Sequence, residues 1–226
     1  MTPLPVAVLV SGSGTNLQAL LDALRDSPVA RVARVVASRA DAGALERARR
    51  AGVSTVVLAH PDDPGEVVTA TGDARLVVLA GYLTRIPPAA VARLRWRLIN
   101  IHPALLPAFG GPGMYGRRVH EAVLASGATL SGATVHYVGE EYDRGPIIAQ
   151  WPVPVRRDDT PEILAARVLE AEHRLLPQVV EALARLGVPG EPVRLFPKSS
   201  VFITGDNLAV DLDTAADGRT GERADR

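Results

Sequence analysis

Two polar side chains stand at the end of a short apolar run, in the stretch Leu98-Ile99-Asn100-Ile101-His102-Pro103. The run is typical of a buried strand in a parallel sheet. Side chains two positions apart on a strand point to the same side, so we expect Asn100 and His102 on one face. Pro103 has no backbone N–H and should end the strand. The sequence therefore predicts an amide and a titratable imidazole at the carboxyl end of a strand, where open α/β sheets bind their ligands.

A glycine-rich turn, Ser11-Gly-Ser-Gly-Thr-Asn16, follows the first predicted strand. Its backbone N–H groups would lie at the N-terminus of a helix, where free N–H groups and the helix dipole favour an anion. A phosphate is therefore a natural guest of Gly14, Thr15 and Asn16, although a tight turn that binds nothing remains an alternative. Leu17 replaces the third glycine of the dinucleotide fingerprint, and the lysine of a phosphate-binding loop is absent.

A carboxylate and further histidines could complete a site around His102. Asp143 lies in a predicted turn, where aspartates often serve turn geometry. Near His102, however, it would favour imidazolium and could exchange protons with the ring. We interpret His136 as a satisfied core histidine, and His120 fits either a packing or a substrate-facing role. The two others, His60 and His173, are interpreted as structural or solvated.

The chain that must position these groups alternates strands and helices up to Pro103. Strands are expected at residues 6–10, 31–38, 53–58, 75–80 and 98–101. Helices are expected at about 17–24, from a cap at Asp41 to Arg50 with Gly52 as the stop, at 66–70, and from Pro87 or Pro88 to about Arg95. This alternation predicts a doubly wound, mostly parallel, Rossmann-like sheet with helices on both faces.

The pattern changes after Pro103. A long glycine-rich loop and a helix precede two strands joined by a polar turn, at residues 104–116, 117–125, 132–138 and 146–155. The polar turn is a hairpin signature, so at least one antiparallel strand should be added to the sheet.

A long helix follows, capped by Thr160 and ending at Gly187. Its apolar stripe begins at Ile163, and Pro177 within it should kink or split the helix. Short strands are expected at 193–196 and 201–203, and disorder from Asp213 to Arg226. We therefore expect one domain over residues 1–195 and a C-terminal tail over 196–226.

The composition excludes several functional classes. The 226 residues contain no cysteine, which excludes a disulfide framework, a zinc–thiolate site and thiol nucleophiles. The 25 basic and 25 acidic residues balance, so no nucleic-acid-binding surface is expected. No apolar run reaches the ~20 residues of a membrane span. The chain starts directly into a strand without a basic and apolar leader, so we expect a cytoplasmic protein.

Three motifs in this order resemble the folate-dependent phosphoribosylglycinamide formyltransferases of purine synthesis. They are Ser11-Gly-Ser-Gly-Thr-Asn-Leu17, Asn100-Ile-His-Pro-Ala-Leu-Leu-Pro107 and His136-Tyr-Val-X4-Asp143-Arg-Gly-Pro146. The second and third motifs mark the whole formyltransferase superfamily, and the first narrows the resemblance to this branch. The resemblance covers residues 5 to 190.

The resemblance implies a direct formyl transfer from 10-formyltetrahydrofolate to the amine of phosphoribosylglycinamide (GAR), with no metal. Asn100, His102 and Asp143 match the catalytic residues. His102, as imidazolium, and the Asn100 amide would stabilise the tetrahedral oxyanion, and Asp143 would keep His102 protonated and help to move a proton. Preorganised donors of this kind can lower a barrier by roughly 3–4 kcal/mol each.

The resemblance also implies the binding residues. Gly14, Thr15, Asn16 and Glu172 match positions that hold GAR. The folate pocket would be lined by Leu83, Thr84, Arg85, Ile86, Asn100 and Val138. Two segments depart from the family pattern: the short 60–74 connection lacks an arginine that members often place there, and the 108–118 loop is a glycine-rich variant. The implied partners are these two small molecules, with the protein a monomer or a homodimer.

Alternatives remain. Methionyl-tRNA formyltransferase and formyltetrahydrofolate hydrolase share the core motifs, but each carries a further domain. A metal hydrolase could use His102, His136 and Asp143. A nucleotide-binding module without catalysis would bind at the first turn and transfer no formyl group.

Overall fold

The computed structural model describes residues 2–196 in full and the backbone of residues 197, 212 and 213. The main sheet has seven strands: β1 (Leu4–Val10), β2 (Ala30–Ala37), β3 (Ser54–Val57), β4 (Leu76–Leu79), β5 (Leu98–His102), β6 (Leu130–Tyr137) and β7 (Ile147–Pro154). A second sheet pairs β8 (Phe196–Pro197) with β9 (Leu212–Asp213). The helices are α1 (Thr15–Ala23), α2 (Ala44–Arg50), α3 (Pro64–Ala70), α4 (Pro88–Arg93), α5 (Arg117–Ala125) and α6 (Pro161–Arg185).

The main sheet has the strand order β3-β2-β1-β4-β5-β6-β7. The five strands β1 to β5 are parallel, whereas β6 runs antiparallel to both β5 and β7. The predicted fold, a doubly wound sheet with an added antiparallel hairpin, is therefore confirmed. The order reverses beside β1, between β1 and β4, which is where doubly wound sheets form their ligand crevice.

Alternate residues of β1 belong to two separate hydrophobic clusters. Val6, Val8 and Val10 pack with side chains of α1, α2, α5 and α6. Ala7 and Leu9 pack with side chains of α3 and α4. Since successive side chains of a strand point to opposite faces, helices cover both faces of the sheet. The strand is apolar on both sides for that reason.

Two helices begin elsewhere than the sequence predicts. Asp41 does not cap α2, because its carboxylate binds the Arg39 guanidinium and Gly43 holds the cap position. α3 is longer than predicted, because Asp63 accepts hydrogen bonds from the backbone N–H groups of Gly65 and Glu66 and so starts the helix early. A carboxylate can bind either the backbone N–H groups of a helix or a neighbouring charged side chain. The sequence pattern alone does not show which of these contacts is stronger.

α6 is one continuous helix through Pro177, so the predicted split is not observed, whereas the predicted kink stays a prediction. Pro177 is buried, and the flanking Leu176 and Val179 are fully buried. Burial of these side chains along the sheet offsets the one hydrogen bond that a proline removes. Ile163 departs from the predicted apolar stripe, because 49% of it is exposed in the first turn of α6.

The C-terminal predictions are only partly covered by the described residues. Of the strand predicted at 193–196, only Phe196 is in a strand. Asp213, the first residue of the segment predicted to be disordered, instead lies in β9 and pairs with Phe196. The strand predicted at 201–203 and the rest of that segment, residues 214–226, lie outside the described residues, and the division into a domain and a tail stays a prediction. Over the described part of the chain, no helix combines the length and the apolar character that a bilayer span requires.

Candidate active site

A cleft of about 810 Å³ opens at the carboxyl ends of β1, β4 and β5. It collects residues from the first turn, the segment after β4, the end of β5, the glycine-rich loop, the β6–β7 turn and one face of α6. All of the residues proposed for the site from the sequence line this one cleft: Gly14, Thr15, Asn16, Leu83, Thr84, Arg85, Ile86, Asn100, His102, Val138, Asp143 and Glu172. The structure brings these side chains together, and their roles stay predictions.

Asn100 is oriented by a histidine from the neighbouring strand. The antiparallel register pairs Asn100 with His136. His136 Nδ1 lies 2.9 Å from the Tyr137 carbonyl oxygen, which can only accept, so Nδ1 carries a proton. In the neutral ring Nε2 is then an acceptor, and the Asn100 amide nitrogen donates to it over 3.1 Å. The amide therefore has a defined orientation and keeps a second N–H to donate.

His102 is held by the glycine-rich loop. Its Nε2 lies 2.9 Å from the carbonyl oxygen of Phe109, so Nε2 carries a proton and donates. Its Nδ1 lies 3.6 Å from Asp143 Oδ2. That separation exceeds a hydrogen bond, so a proton passes between the two groups only after a closer approach or through a bridging water.

Burial lowers the pKa of His102, and the charge of Asp143 and the Phe109 carbonyl oppose that effect without cancelling it. The neutral ring, with a free lone pair on Nδ1, is therefore the dominant form of His102 at neutral pH. This differs from the imidazolium that the resemblance implies, because burial of the charged form costs more than the neighbouring carboxylate returns. A nearby carboxylate cannot be weighed against burial from sequence.

Asp143 stays ionised in a partly buried position. Burial alone would raise the pKa of its carboxyl, but the neighbouring His136 ring, the positive charge that His102 gains in acid and the Gly111 N–H together hold the pKa below its usual value. The Gly111 N–H donates to Oδ2 over 2.9 Å. Asp143 has a φ of 54°, a left-handed conformation that aspartate tolerates better than most residues.

The loop can reach Asp143 because residue 110 is a glycine. A Cβ at Gly110 would lie 2.5 Å from Leu106 Cδ2 and 3.0 Å from Asp143 Cβ. Such distances require a neighbour to move. The glycine-rich loop therefore supplies two backbone groups to the site, the Phe109 carbonyl and the Gly111 N–H.

The first turn presents N–H groups to the cleft. Its carbonyl oxygens are engaged on the other side, where Gly12 accepts from the Ala44 N–H and Ser13 from the Arg47 guanidinium. No side chain caps α1. Gly14 has a φ of 75°, and a Cβ there would lie 2.6 Å from Ala44 Cβ, so only glycine fits. The turn thus has the free donors that an anion requires.

Glu172 and Asn16 form a buried pair beside this turn. The Asn16 amide nitrogen donates to Glu172 Oε2 over 2.7 Å. Burial raises the pKa of Glu172 to about 7, and the bond from Asn16 only partly opposes that rise. Asn16 Oδ1 is buried and has no hydrogen-bond partner in residues 2–196. A ligand that donates a hydrogen bond to this wall would satisfy both groups.

The opposite wall is built by the segment after β4. The Leu83 N–H donates to Ser11 Oγ over 2.9 Å, and Ser11 Oγ lies 2.7 Å from Ser38 Oγ. Arg85 donates to the Glu140 carbonyl oxygen and stacks over the Tyr142 ring. These contacts link the segment to the first turn and to the β6–β7 turn. The apolar side chain of Leu83 lines the cleft here and is 60% exposed.

The sequence analysis missed His136 as a site residue. Its apolar neighbours indicate a core position, and it is 1% exposed. The signal that could have found it is its position opposite Asn100 on the adjacent antiparallel strand, but that position is known only once the β5–β6 register is known. The Phe109 carbonyl and the Gly111 N–H were also missed, because backbone groups leave no trace in side-chain types.

The metal-hydrolase alternative is not supported by the donor atoms. His102, His136 and Asp143 do lie together, but His136 uses Nδ1 as a donor to Tyr137 and Nε2 as the acceptor of Asn100. It keeps no lone pair for a metal ion. Within residues 2–196, no three histidine, aspartate or glutamate side chains form a group that could hold one.

The family model described as "Formyl transferase" matches residues 4–180 of the chain. The matched region contains every strand of the main sheet and every residue that lines the cleft. The chain therefore belongs to the formyl transferase family.

Three similar proteins narrow the class. The chain is 46% identical to the chloroplastic phosphoribosylglycinamide formyltransferase of Arabidopsis thaliana, over 79% of this chain and 64% of that protein. It is 38% identical to the Escherichia coli (strain K12) phosphoribosylglycinamide formyltransferase, over 79% and 86%. The crystal structure of glycinamide ribonucleotide transformylase 1 from Symbiobacterium toebii has 41% identity and a TM-score of 0.73, over 81% and 89%. Within the family, the chain thus groups with the phosphoribosylglycinamide formyltransferases, although it spans less than two thirds of the chloroplastic relative.

Proposed function

We propose that the protein transfers the formyl group of 10-formyltetrahydrofolate to the amine of GAR. The observation that carries this proposal is the meeting, in one cleft, of the Asn100 and His102 pair with an uncapped helix N-terminus and an ionised Asp143. Formyl transfer needs an oxyanion donor, a proton carrier and a hold on a phosphorylated acceptor. The cleft offers a candidate for each.

In this proposal the phosphate of GAR binds the backbone N–H groups of residues 14–16. The glycinamide arm then extends toward β5 and brings its amine to His102. The folate lies against residues 83–86 and Val138, with its formyl group between the amine and Asn100. Holding both reactants at contact distance removes much of the entropic cost of a bimolecular reaction.

The amine nitrogen attacks the formyl carbon, a C–N bond forms, and the formyl oxygen becomes an oxyanion. The second N–H of the Asn100 amide donates to that oxygen, because the first N–H is committed to His136. A donor fixed before the reaction costs no reorganisation as the charge develops, which is why such donors are effective.

The attacking nitrogen must lose a proton, and the folate nitrogen must gain one before its bond to the formyl carbon breaks. Neutral His102 accepts the first proton on Nδ1, the nitrogen that Phe109 leaves free. The resulting imidazolium is stabilised by Asp143, 3.6 Å away. The same ring then delivers a proton to the folate nitrogen, so formyl-GAR and tetrahydrofolate leave with no net change of protons.

The decisive experiment measures release of tetrahydrofolate from 10-formyltetrahydrofolate with three acceptors: GAR, initiator methionyl-tRNA and water alone. We expect rapid turnover with GAR only, and turnover about 10²–10⁴-fold slower for His102→Ala. Turnover with the tRNA would favour the related transferase, and equal turnover without any acceptor would favour a hydrolase. Binding of GAR without turnover in the presence of both substrates would indicate a binding module.

The cytoplasmic location, the choice between monomer and homodimer, and the assignment of residues 1–195 to the catalytic domain are parts of the same proposal. Size-exclusion chromatography with light scattering, and activity of a chain truncated after residue 195, test the last two.

A further inference from the structure

His120 is a buried polar side chain of the cleft that has no role in the reaction proposed above. It lies in the first turns of α5 and lines the cleft together with the face of α6 that holds Glu172. Only 4% of the residue is exposed, and its buried Nδ1 has no hydrogen-bond partner among the residues that the structure describes. Within residues 2–196, each of the other two histidines that line the cleft, His102 and His136, has such partners.

The state of the His120 ring follows from its surroundings. Burial, and next the neighbouring His102, lower the pKa of His120, so the ring is neutral. A neutral imidazole has one N–H and one lone pair. Burying an N–H without a hydrogen-bond partner costs more free energy than burying a lone pair without one, and orphaned buried N–H groups are accordingly rarer. The proton therefore belongs on Nε2, and because Nδ1 is buried while the residue lines the cleft, Nε2 is the ring nitrogen left for a ligand.

We propose that His120 is an acceptor-binding residue that donates its Nε2–H to the amide carbonyl oxygen of GAR. This inference rests on the proposed function, because it assigns the contact to that substrate. The carbon of this carbonyl is bonded directly to the CH₂ group that bears the reacting amine. A donor that neighbours His102 and faces α6 fits that oxygen better than the phosphate, which binds at the first turn.

A neutral donor has a specific advantage at this position. A cation here would repel the proton that His102 must accept during the reaction. A neutral N–H fixes the amide, and with it the direction of the amine, without that repulsion. His120 therefore sets the position of the amine rather than its protonation.

The test compares two amides that mimic different ring nitrogens. The amide nitrogen of glutamine reaches the place of Nε2, whereas that of asparagine reaches only the place of Nδ1. We expect His120→Asn to weaken GAR binding, measured by calorimetry, by about tenfold, the loss for one neutral hydrogen bond. His120→Gln should recover most of that affinity, and the KM for 10-formyltetrahydrofolate should change in neither variant.

His173→Asn is the matched control, because His173 also has a buried nitrogen without a partner but does not line the cleft. It should bind GAR as the wild type does. If His120→Asn and His120→Gln bind GAR equally, whether as wild type or weakened, the inference is overturned while formyl transfer by the wild type stands. A wild type that neither binds nor formylates GAR overturns both.

Nitrogen-15 NMR of the wild-type imidazoles keeps the test valid if a variant does not fold. The His120 signals should report a proton on Nε2. Of the two His120 ring nitrogens, only Nε2 should change its chemical shift when GAR is added. A proton on Nδ1, or signals that ignore GAR, would contradict the assignment.

Discussion

Two of the walls of the cleft differ in how their polar groups are satisfied. On the wall built by β5, β6 and the glycine-rich loop, polar atoms bind one another: Asn100 to His136, His136 to Tyr137, and Asp143 to Gly111. On the wall built by the first turn, α5 and α6, Asn16 Oδ1 is buried and has no hydrogen-bond partner within the described part of the chain. Glu172 on that wall is buried with a pKa raised to about 7.

This difference separates preorganisation from binding. A network that satisfies its own members holds its donors in place whether or not a ligand is bound, which suits an oxyanion contact. Buried groups without partners cost stability, and a ligand that supplies the partners recovers that cost as affinity. We therefore expect changes on the wall of β5, β6 and the glycine-rich loop to lower kcat. Changes on the wall of the first turn, α5 and α6 should alter binding and stability.

The largest expected effect comes from His102→Ala. Loss of the proton carrier should lower kcat by about 10²–10⁴-fold and leave the affinity for GAR within about twofold, because the phosphate contacts lie on the other wall. Steady-state kinetics and calorimetry measure the two quantities. His60→Ala, at an exposed histidine outside the cleft, is the control and should change neither. A variant that keeps wild-type kcat would remove His102 from the mechanism.

Asp143→Asn should lower kcat less and also shift its pH dependence. Asparagine also tolerates the left-handed backbone that residue 143 adopts. The charge of Asp143 raises the pKa of His102, so its loss should move the acidic limb of the kcat profile to lower pH. Imidazolium would also lose its counter-charge, and kcat should fall by about 10–10²-fold. An acidic limb that stays in place would mean that the two groups do not communicate.

The sequence predicted the sheet well because each strand carries its own signal. The apolar run of β5 and the polar turn between β6 and β7 are local patterns, and both lead to the observed topology. The cap at Asp41, a split at Pro177 and the burial of Ile163 were expected and not observed, for a common reason. Whether a carboxylate caps a helix, a proline interrupts it or an isoleucine is buried depends on what packs against it, and local pattern does not contain that.

The site was predictable in its residue types and not in its connections. Parity along β5 is enough to put Asn100 and His102 on one face, but Asp143 joins them only through the hairpin. The pairing of Asn100 with His136 depends on register. The neutral state of His102 depends on a balance between burial and charge. Gly110 could be read as a loop glycine, yet its function is to leave room for Asp143.

His136→Ala should have a smaller effect on kcat than the preceding variants, about tenfold, because it removes no reacting group. It frees the Asn100 amide to rotate, so part of the fixed donation to the oxyanion is lost. The combination with Asn100→Ala is the sharper measurement. If His136 acts through Asn100, the double variant should be no slower than Asn100→Ala alone. Additive losses in kcat would indicate a separate role for His136.

Glu172→Gln tests the other wall and should change stability rather than kcat. The folded-state pKa of about 7 lies above the ordinary value of 4.5, because burial disfavours the carboxylate. Below the ordinary value the carboxyl is neutral in both states and costs nothing. As pH rises from about 4.5 to about 7, the unfolded chain ionises more readily, so the wild type loses stability progressively.

Glutamine cannot ionise and keeps an oxygen for the Asn16 amide, so the variant should escape this loss. Each unit of pKa is worth about 1.4 kcal/mol, so Glu172→Gln should be more stable than the wild type by up to about 3 kcal/mol at pH 8. The two should converge toward pH 5. Urea unfolding at both pH values measures this, with the exposed Glu170→Gln as the control. A variant that is no more stable at pH 8 would mean that the α6 wall carries no such cost, and the contrast between the two walls would fail at its best-defined residue.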